Sequence, residues 1–448
     1  MWFSLDYIFF EKHKVFSFLK NQMNHLLDVV TERACTPDMH QHFFGFHDLC
    51  PWDHSNAKLL LHRISKQQPL SIPTVDDTIE IVLWDPDSGQ IDAIAETAAW
   101  NWQQGGRAQW LRRTPKVLIY NKIVDGRLIS ERIDLNSGVR DLFPFPCYNL
   151  SPDDATFVSC NLGRLNKCWP AYGAAGRMTG SEDEHAPDDD GLFMIDLQSG
   201  QERLIISLAE LVEGAEIKLP DGTKHFVCHP TFSPSGERIC FFHRFFSKEQ
   251  VLFSRFIVCD VNGNNPRLIA NEKVSHFDWI DDDTIVVWTR FLPKNIVAAR
   301  SAGGFNSPFI KPLVQLARRL KPNIKQSLWK EAYFQIDLTG NSEPTPIANG
   351  ILEQDGHPMF SHDGKWMLTD TYADPKTRTR TLILFNMHSR QRFDLACLDS
   401  PIEFGDGDMK CDLHPRWDRD CKRICVDSTH TGLRQVHIYD VSAWIERE

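Results

Sequence analysis

His229-Pro-Thr-Phe-Ser-Pro-Ser-Gly-Glu-Arg-Ile-Cys-Phe-Phe242 is a phrase to which the chain returns. His357-Pro-Met-Phe-Ser-His-Asp-Gly-Lys-Trp-Met-Leu368 and His414-Pro-Arg-Trp-Asp-Arg-Asp-Cys-Lys-Arg-Ile-Cys425 repeat it, and His276-Phe-Asp-Trp-Ile-Asp-Asp-Asp-Thr-Ile-Val-Val287 is a looser copy. In each, a histidine stands three residues before an aromatic, and a polar turn and a β-rich run follow. The turns hold Ser, Asp and Gly, residues that tolerate or stabilise tight backbone reversals. A second strand then ends in an Asp-rich turn, as in Phe256-Ile-Val-Cys-Asp-Val-Asn-Gly263 and Tyr333-Phe-Gln-Ile-Asp-Leu-Thr-Gly340. The starts lie 47, 81 and 57 residues apart. A turn-plus-strand unit at that sort of period predicts an all-β chain, a β-propeller with roughly one repeat per blade.

Working outward, seven blades are expected. The first runs from His42 to the turn after Trp84, the second opens at Trp100, the third at Cys147, and the last four at the repeated histidines. Gly163 to Asp190 is long and acid-rich and reads as a loop over one mouth of the channel. An insertion in blade five, roughly 291–329, suggests a helix through Phe309, Leu313, Leu316 and Leu320, with a basic face at Arg318, Arg319, Lys321 and Lys325. Residues 1–40 read as a separate helical leader on a propeller spanning 41–448, because apolar residues at 15, 16, 19, 23, 26, 27 and 30 follow an amphipathic-helix spacing.

The formal net charge of −11 argues against a general nucleic-acid binder. The apolar patches at Trp2-Phe3 and Tyr7 to Phe10 are broken by Asp6 and closed by Glu11, which makes a poor signal peptide and no membrane span. The 12 cysteines form no CxxC pair, and several sit in strands as small buried thiols. A cytoplasmic protein is the expectation.

Equivalent positions in successive blades ring the channel, so His229, His276, His357 and His414 are expected to face a common axis. Imidazole is the commonest metal ligand. The ring is therefore a candidate site for a divalent ion, zinc first with manganese or calcium as alternatives, and Cys411 or Asp412 could add a ligand. A second constellation lies in blades one to three: His47 in Gly-Phe-His-Asp, His62 in Leu-Leu-Leu-His-Arg, Tyr148, and Arg164. Trp102 and Gln104, in Trp-Asn-Trp-Gln-Gln-Gly, and Arg244 on the blade-four strand are candidate substrate-binding groups. A base, a phenol, a guanidinium and stacking aromatics suit an acidic sugar.

Gly-Phe-His-Asp, Trp-Asn-Trp-Gln-Gln-Gly, Cys-His-Pro-Thr-Phe-Ser-Pro, Ser-His-Phe-Asp-Trp and Asp-Leu-His-Pro-Arg-Trp, followed by Asp-Ser-Thr-His, together resemble the seven-bladed propeller polysaccharide lyases over about residues 40–442. Ulvan lyases are the nearer likeness and oligogalacturonate lyases the more distant. The resemblance implies β-elimination at a uronic acid of an acidic polysaccharide or oligosaccharide, with a metal in the channel. Matched by motif, His47 and His62 are its histidine pair, Tyr148 its tyrosine and Arg164 its carboxylate-neutralising arginine; His47, or Tyr148 as phenolate, takes the C5 proton. Members of that family are secreted, and this chain departs from them in its N-terminus. Two other readings stay open: a non-catalytic propeller that binds a glycan or a protein, and a metal-dependent hydrolase whose histidine ring activates water.

Overall fold

A computed structural model describes residues 30–220, 222–247, 250–301, 331–405 and 407–446. They form seven four-stranded antiparallel sheets, the blades of a propeller. Blade one is Gln41–Phe43, Leu59–Ile64, Ile79–Trp84 and Ile91–Thr97, and blade four is His225–Phe232, Arg238–Phe246, Leu252–Asp260 and Arg267–Glu272. The innermost strands of blades five and six are Val274–Trp279 and Met359–Phe360. The middle strands of the blades are buried almost throughout, as in Trp366–Asp370. Face-to-face packing of the blades buries Trp52, Trp84, Trp366 and Trp417.

The turns explain the repeat. Ser233 Oγ accepts the Arg238 N–H at 3.2 Å, and Gly236 closes the reversal with φ +85. In the outer turns Asp196 Oδ1 accepts the N–H groups of Gln198 and Ser199 at 3.0 and 2.7 Å, and Asp134 does the same for Asn136 at 2.8 Å. A carboxylate that accepts backbone N–H groups stabilises the turn locally, which is why Asp recurs there. Neighbouring blades are stitched by side chains of the inner strands. Asn149 Oδ1 accepts from Phe232 N at 3.2 Å, and Asp278 Oδ2 from Phe360 N at 2.9 Å.

Blade seven is built from both ends of the described chain. Arg416–Trp417, Arg423–Ser428 and Gln435–Asp440 are completed by Thr31–Cys35, which pairs antiparallel with Gln435–Asp440. This moves the expected boundary at residue 40: 31–35 belong to the propeller, and 1–29 lie outside the described residues. The strand was hidden because it is an outer one. Thr31, Glu32 and Arg33 are exposed and carry no apolar alternation.

The segment from Gly163 to Asp190 begins as a helix, Leu162–Cys168, capped by Asn161. The expected helix through Phe309 to Leu320, with its basic face, lies outside the described residues; Lys294–Ser301 is helical. All 12 cysteines are free thiols. No helix among the described residues is long and apolar enough to cross a membrane.

Candidate functional site

Two cavities of similar size, about 390 and 380 Å³, open from the channel, and His47 lines both. Thr231, Phe232, Asp278, Trp279 and Met359, from the later parts of inner strands, face the first. His229, Val274, Ser275 and His276, from the earlier parts, face the second with Arg244, Trp169, Tyr172, Tyr372 and Lys410.

The repeated histidines do converge. Ring centroids lie 4.2 Å apart for His276 and His357 and 4.4 Å for His357 and His414, with His47 5.5 Å from both His276 and His357. His229 stands apart from this cluster, its ring stacked on Phe46 at 4.9 Å. His229 and His414 hold left-handed backbones, φ +55 and +44. Such a conformation costs a non-glycine residue about 1–3 kcal/mol and persists where surrounding structure fixes it. Burial holds His47, His229, His357 and His414 neutral, well below the usual imidazole range.

Three of the rings are pinned through Nδ1. Asp355 binds His276 at 2.9 Å, Asp370 binds His357 at 2.8 Å, and His414 donates to Gly45 O at 2.9 Å. A histidine held this way presents Nε2, the arrangement that orients metal-ligating imidazoles. His414 Nε2 is buried without a hydrogen-bond partner among the described residues. His357, Asp412 and His414 bring three ligand atoms within 4.8 Å of one another. Asp412 is held strongly ionised; burial opposes this, and the charges of Lys410 and Arg380 outweigh it. Two imidazoles and a carboxylate fit a divalent transition ion such as manganese or zinc; calcium, which prefers oxygen ligands, fits poorly.

Blades one to three distribute their candidates differently. Tyr148 is buried behind His229, its hydroxyl 2.6 Å from His229 Nδ1 and 2.9 Å from Gln104 Nε2. Burial raises its phenol well above the ordinary range, so it is no phenolate. Gln104 Oε1 has no hydrogen-bond partner among the described residues. With the amide turned over, Oε1 accepts the Tyr148 proton and the phenol oxygen accepts from Nδ1, which leaves a lone pair on His229 Nε2. The same heavy atoms thus serve His229 as acid or as base.

His62, Trp102 and Arg164 are not in the channel wall, which corrects their expected roles. His62 Nε2 accepts the Gly106 N–H at 3.0 Å. A Cβ on Gly105, φ +58, would come within 2.3 Å of the His62 ring, so the Gln-Gly-Gly run serves this packing. Trp102 donates to Ser71 O at 2.9 Å and stacks on Phe43. Arg164 is 1% exposed. It binds Asp190 at 2.7 Å and donates to the carbonyls of Glu184, His225 and Ser181. Four of its five N–H groups are engaged, and it lines neither cavity. Its partner Asp190 stands 26 residues along the chain, a pairing that spacing does not reveal.

Arg244 is the guanidinium that reaches the cavity. Its donors go to Ser254 Oγ at 2.9 Å, Cys228 Sγ at 3.6 Å and Val274 O at 3.2 Å, all neutral, and it lies over the Phe242 ring at 3.9 Å. It is 4% exposed, with no carboxylate partner among the described residues. Lys410 and Tyr372 complete the wall, with Nζ 4.1 Å over the Tyr372 ring and the Tyr372 hydroxyl 3.3 Å from His276 Nε2. Motif reading missed Tyr172, Tyr372 and Lys410. It also missed Asp355, although an aspartate two residues before the histidine recurs at 355/357 and 412/414.

No protein-family model matches the chain, and no curated protein does. Solved structures do. The oligogalacturonate lyase of Vibrio parahaemolyticus is 13% identical, with a TM-score of 0.58 over 92% of this chain and 93% of that one. An oligogalacturonate lyase in complex with manganese is 16% identical, with a TM-score of 0.59 over 93% and 94%. At such identities the likeness speaks for the propeller fold.

Proposed function

We propose that the protein binds an acidic oligosaccharide in the mouth lined by His229 and His276 and cleaves it by β-elimination at a uronate. The observation that carries this reading is Arg244, a buried guanidinium that faces a cavity with only neutral partners. A buried cation of this kind favours an anionic ligand, and its fork matches a carboxylate. The manganese complex of a similarly folded oligogalacturonate lyase supports both the substrate class and a metal.

In this mechanism Arg244 binds the uronate carboxylate and stabilises the negative charge that develops when the C5 proton leaves. His229, held through Nδ1 by Tyr148, takes that proton on Nε2. The C4–C5 double bond forms as the C4–O4 bond breaks. Tyr372, which burial keeps protonated well above the usual phenol range, stands in the same cavity to protonate the departing oxygen. His47 packs against the ligand histidines and closes the floor. His357, Asp412 and His414 would hold the divalent ion, which would supply positive charge to the channel.

Incubation with oligogalacturonate and with other uronate-rich oligosaccharides in the presence of manganese tests the reading. Elimination produces the ultraviolet absorbance of a conjugated unsaturated uronate. Hydrolysis yields reducing ends without it, and a binding propeller yields neither.

A further inference from the structure

We propose that Glu32, His430 and His437 form a second metal site, outside the channel, that takes a zinc-class divalent ion and ties the N-terminal strand to blade seven. Glu32 lies on Thr31–Cys35, the strand that closes the ring, and His437 on its partner Gln435–Asp440. His430 sits in the turn that leads into that partner. The three offer ligand atoms within 4.8 Å of one another. Glu32 Oε2 is 3.4 Å from His437 Nδ1 and 4.0 Å from His430 Nε2, and the two rings are 4.3 Å apart. Tetrahedral zinc with bonds of about 2.0–2.2 Å sets its donors roughly 3.4 Å apart. The Glu32–His437 pair is already at that spacing, the Glu32–His430 pair at 4.0 Å needs a modest closure, and the two ring nitrogens lie within 4.8 Å of each other.

The proton arrangement points the same way. Cys35 donates its S–H to Thr36 O at 3.4 Å, and its sulfur lies 3.9 Å from His437 Nε2. With the Nε2 proton turned to that sulfur, Nδ1 carries a lone pair. His437 is 0% exposed, and Nδ1 has no hydrogen-bond partner among the described residues. A lone pair that faces a carboxylate oxygen across 3.4 Å is repulsive unless a cation lies between them. His430 is prepared in parallel: Ser428 Oγ holds its Nδ1 at 2.8 Å, which leaves Nε2 toward Glu32. Outer partners of this kind fix ring orientation at metal sites.

Two imidazoles and one carboxylate are a zinc-type donor set with a position left for water. The consequence is structural. Thr31–Cys35 buries little side chain, with three of its five residues exposed, so its hold on the sheet rests mainly on the backbone ladder. An ion shared between this strand and blade seven would cross-link the two ends of the described chain, and its binding free energy would add to ring closure.

The test uses the full chain, stripped of metal by chelator and titrated with zinc alone. His414→Ala removes a ligand of the channel set, so the second site can be read separately. The His414→Ala protein is expected to bind one zinc tightly. Adding Glu32→Gln or His430→Ala should weaken that zinc by about 100-fold or more, since even outer-shell changes cost 10- to 100-fold. Zinc should also slow hydrogen exchange at residues 31–35 of the His414→Ala protein. Zinc affinity unchanged by Glu32→Gln and His430→Ala, or no zinc bound by folded His414→Ala, would overturn the proposal. Should His414→Ala not fold, stoichiometry decides. The otherwise unaltered chain is expected to hold two zinc ions and the Glu32→Gln chain one, and equal stoichiometry overturns the site. This outcome is independent of whether the channel performs elimination.

Discussion

Arg164 and Arg244 are both buried guanidinium groups one blade apart, and their surroundings assign them opposite work. One carboxylate and three carbonyls take four of the five N–H groups of Arg164, and it lines neither cavity. Arg244 meets a hydroxyl, a thiol and a carbonyl, and looks into the cavity. The contrast extends to their blades. In blades four to seven the inner strand brings a histidine to the channel. In blades one to three, His62 and Trp102 serve the packing, and Gln104 and Tyr148 stand one layer behind His229. A buried charge is available for a ligand only where the fold has left it without a partner of opposite sign.

Substitution of the two arginines sharpens this most. Arg244→Met should lower turnover by about 10² to 10³-fold, the usual loss for a donor aimed at developing negative charge, with little change in melting temperature. Arg164→Met should do the reverse. It strands Asp190 in the core, where breaking a buried pair costs about 3–5 kcal/mol, and it leaves turnover per folded molecule unaltered. Thermal melts and active-site-normalised rates separate the two, and equal behaviour of the variants would break the comparison.

Acid should weaken the fold next. His42, His62, His225 and His437 are held at about 3 by burial, and His47, His229, His243, His357 and His414 well below their usual value. In the unfolded chain each titrates near about 6.5. Below that pH the unfolded chain therefore binds protons that the fold refuses, and stability falls as pH drops. Asp370 and Asp427, raised to about 7, and Asp278, raised to about 6, act in the opposite sense. Nine histidines outweigh three aspartates. Melting temperature is expected to decline steadily from pH 7 to 5, and a flat or rising profile would contradict this account of the buried rings.

Tyr148→Phe should have the smallest effect, because the phenol acts through His229 rather than on the substrate. Loss of one hydrogen bond of 2.6 Å is expected to cost about five- to tenfold in turnover and to shift the pH profile of kcat. A purely structural Tyr148 would leave that profile in place.

The propeller was legible because its turns repeat: Ser, Asp and Gly stand at fixed offsets, and the four histidines mark the inner strands. The closing strand was not, since Thr31–Cys35 is an edge with little to bury. The channel histidines could be read for the same reason as the fold, from their equivalent places in the repeat, whereas Asp412 was one of two possible extra ligands, beside Cys411. Arg164 misled because its environment is set by Asp190 and by carbonyls from other elements, contacts that no local pattern encodes. Motif likeness picked out Tyr148 and Gln104 and placed them one layer too close to the substrate. Arg244 could be named from sequence as a substrate-binding group, but its freedom from a carboxylate is visible only in three dimensions.

The central claim, elimination at a uronate held by Arg244, is tested most directly by the mass of the products formed from oligogalacturonate with manganese present. Elimination adds nothing, so the fragment masses sum to the substrate mass, one fragment is unsaturated, and Arg244→Met suppresses both. Fragments that together contain one added water, or an unaltered substrate that binds without cleavage, would contradict it.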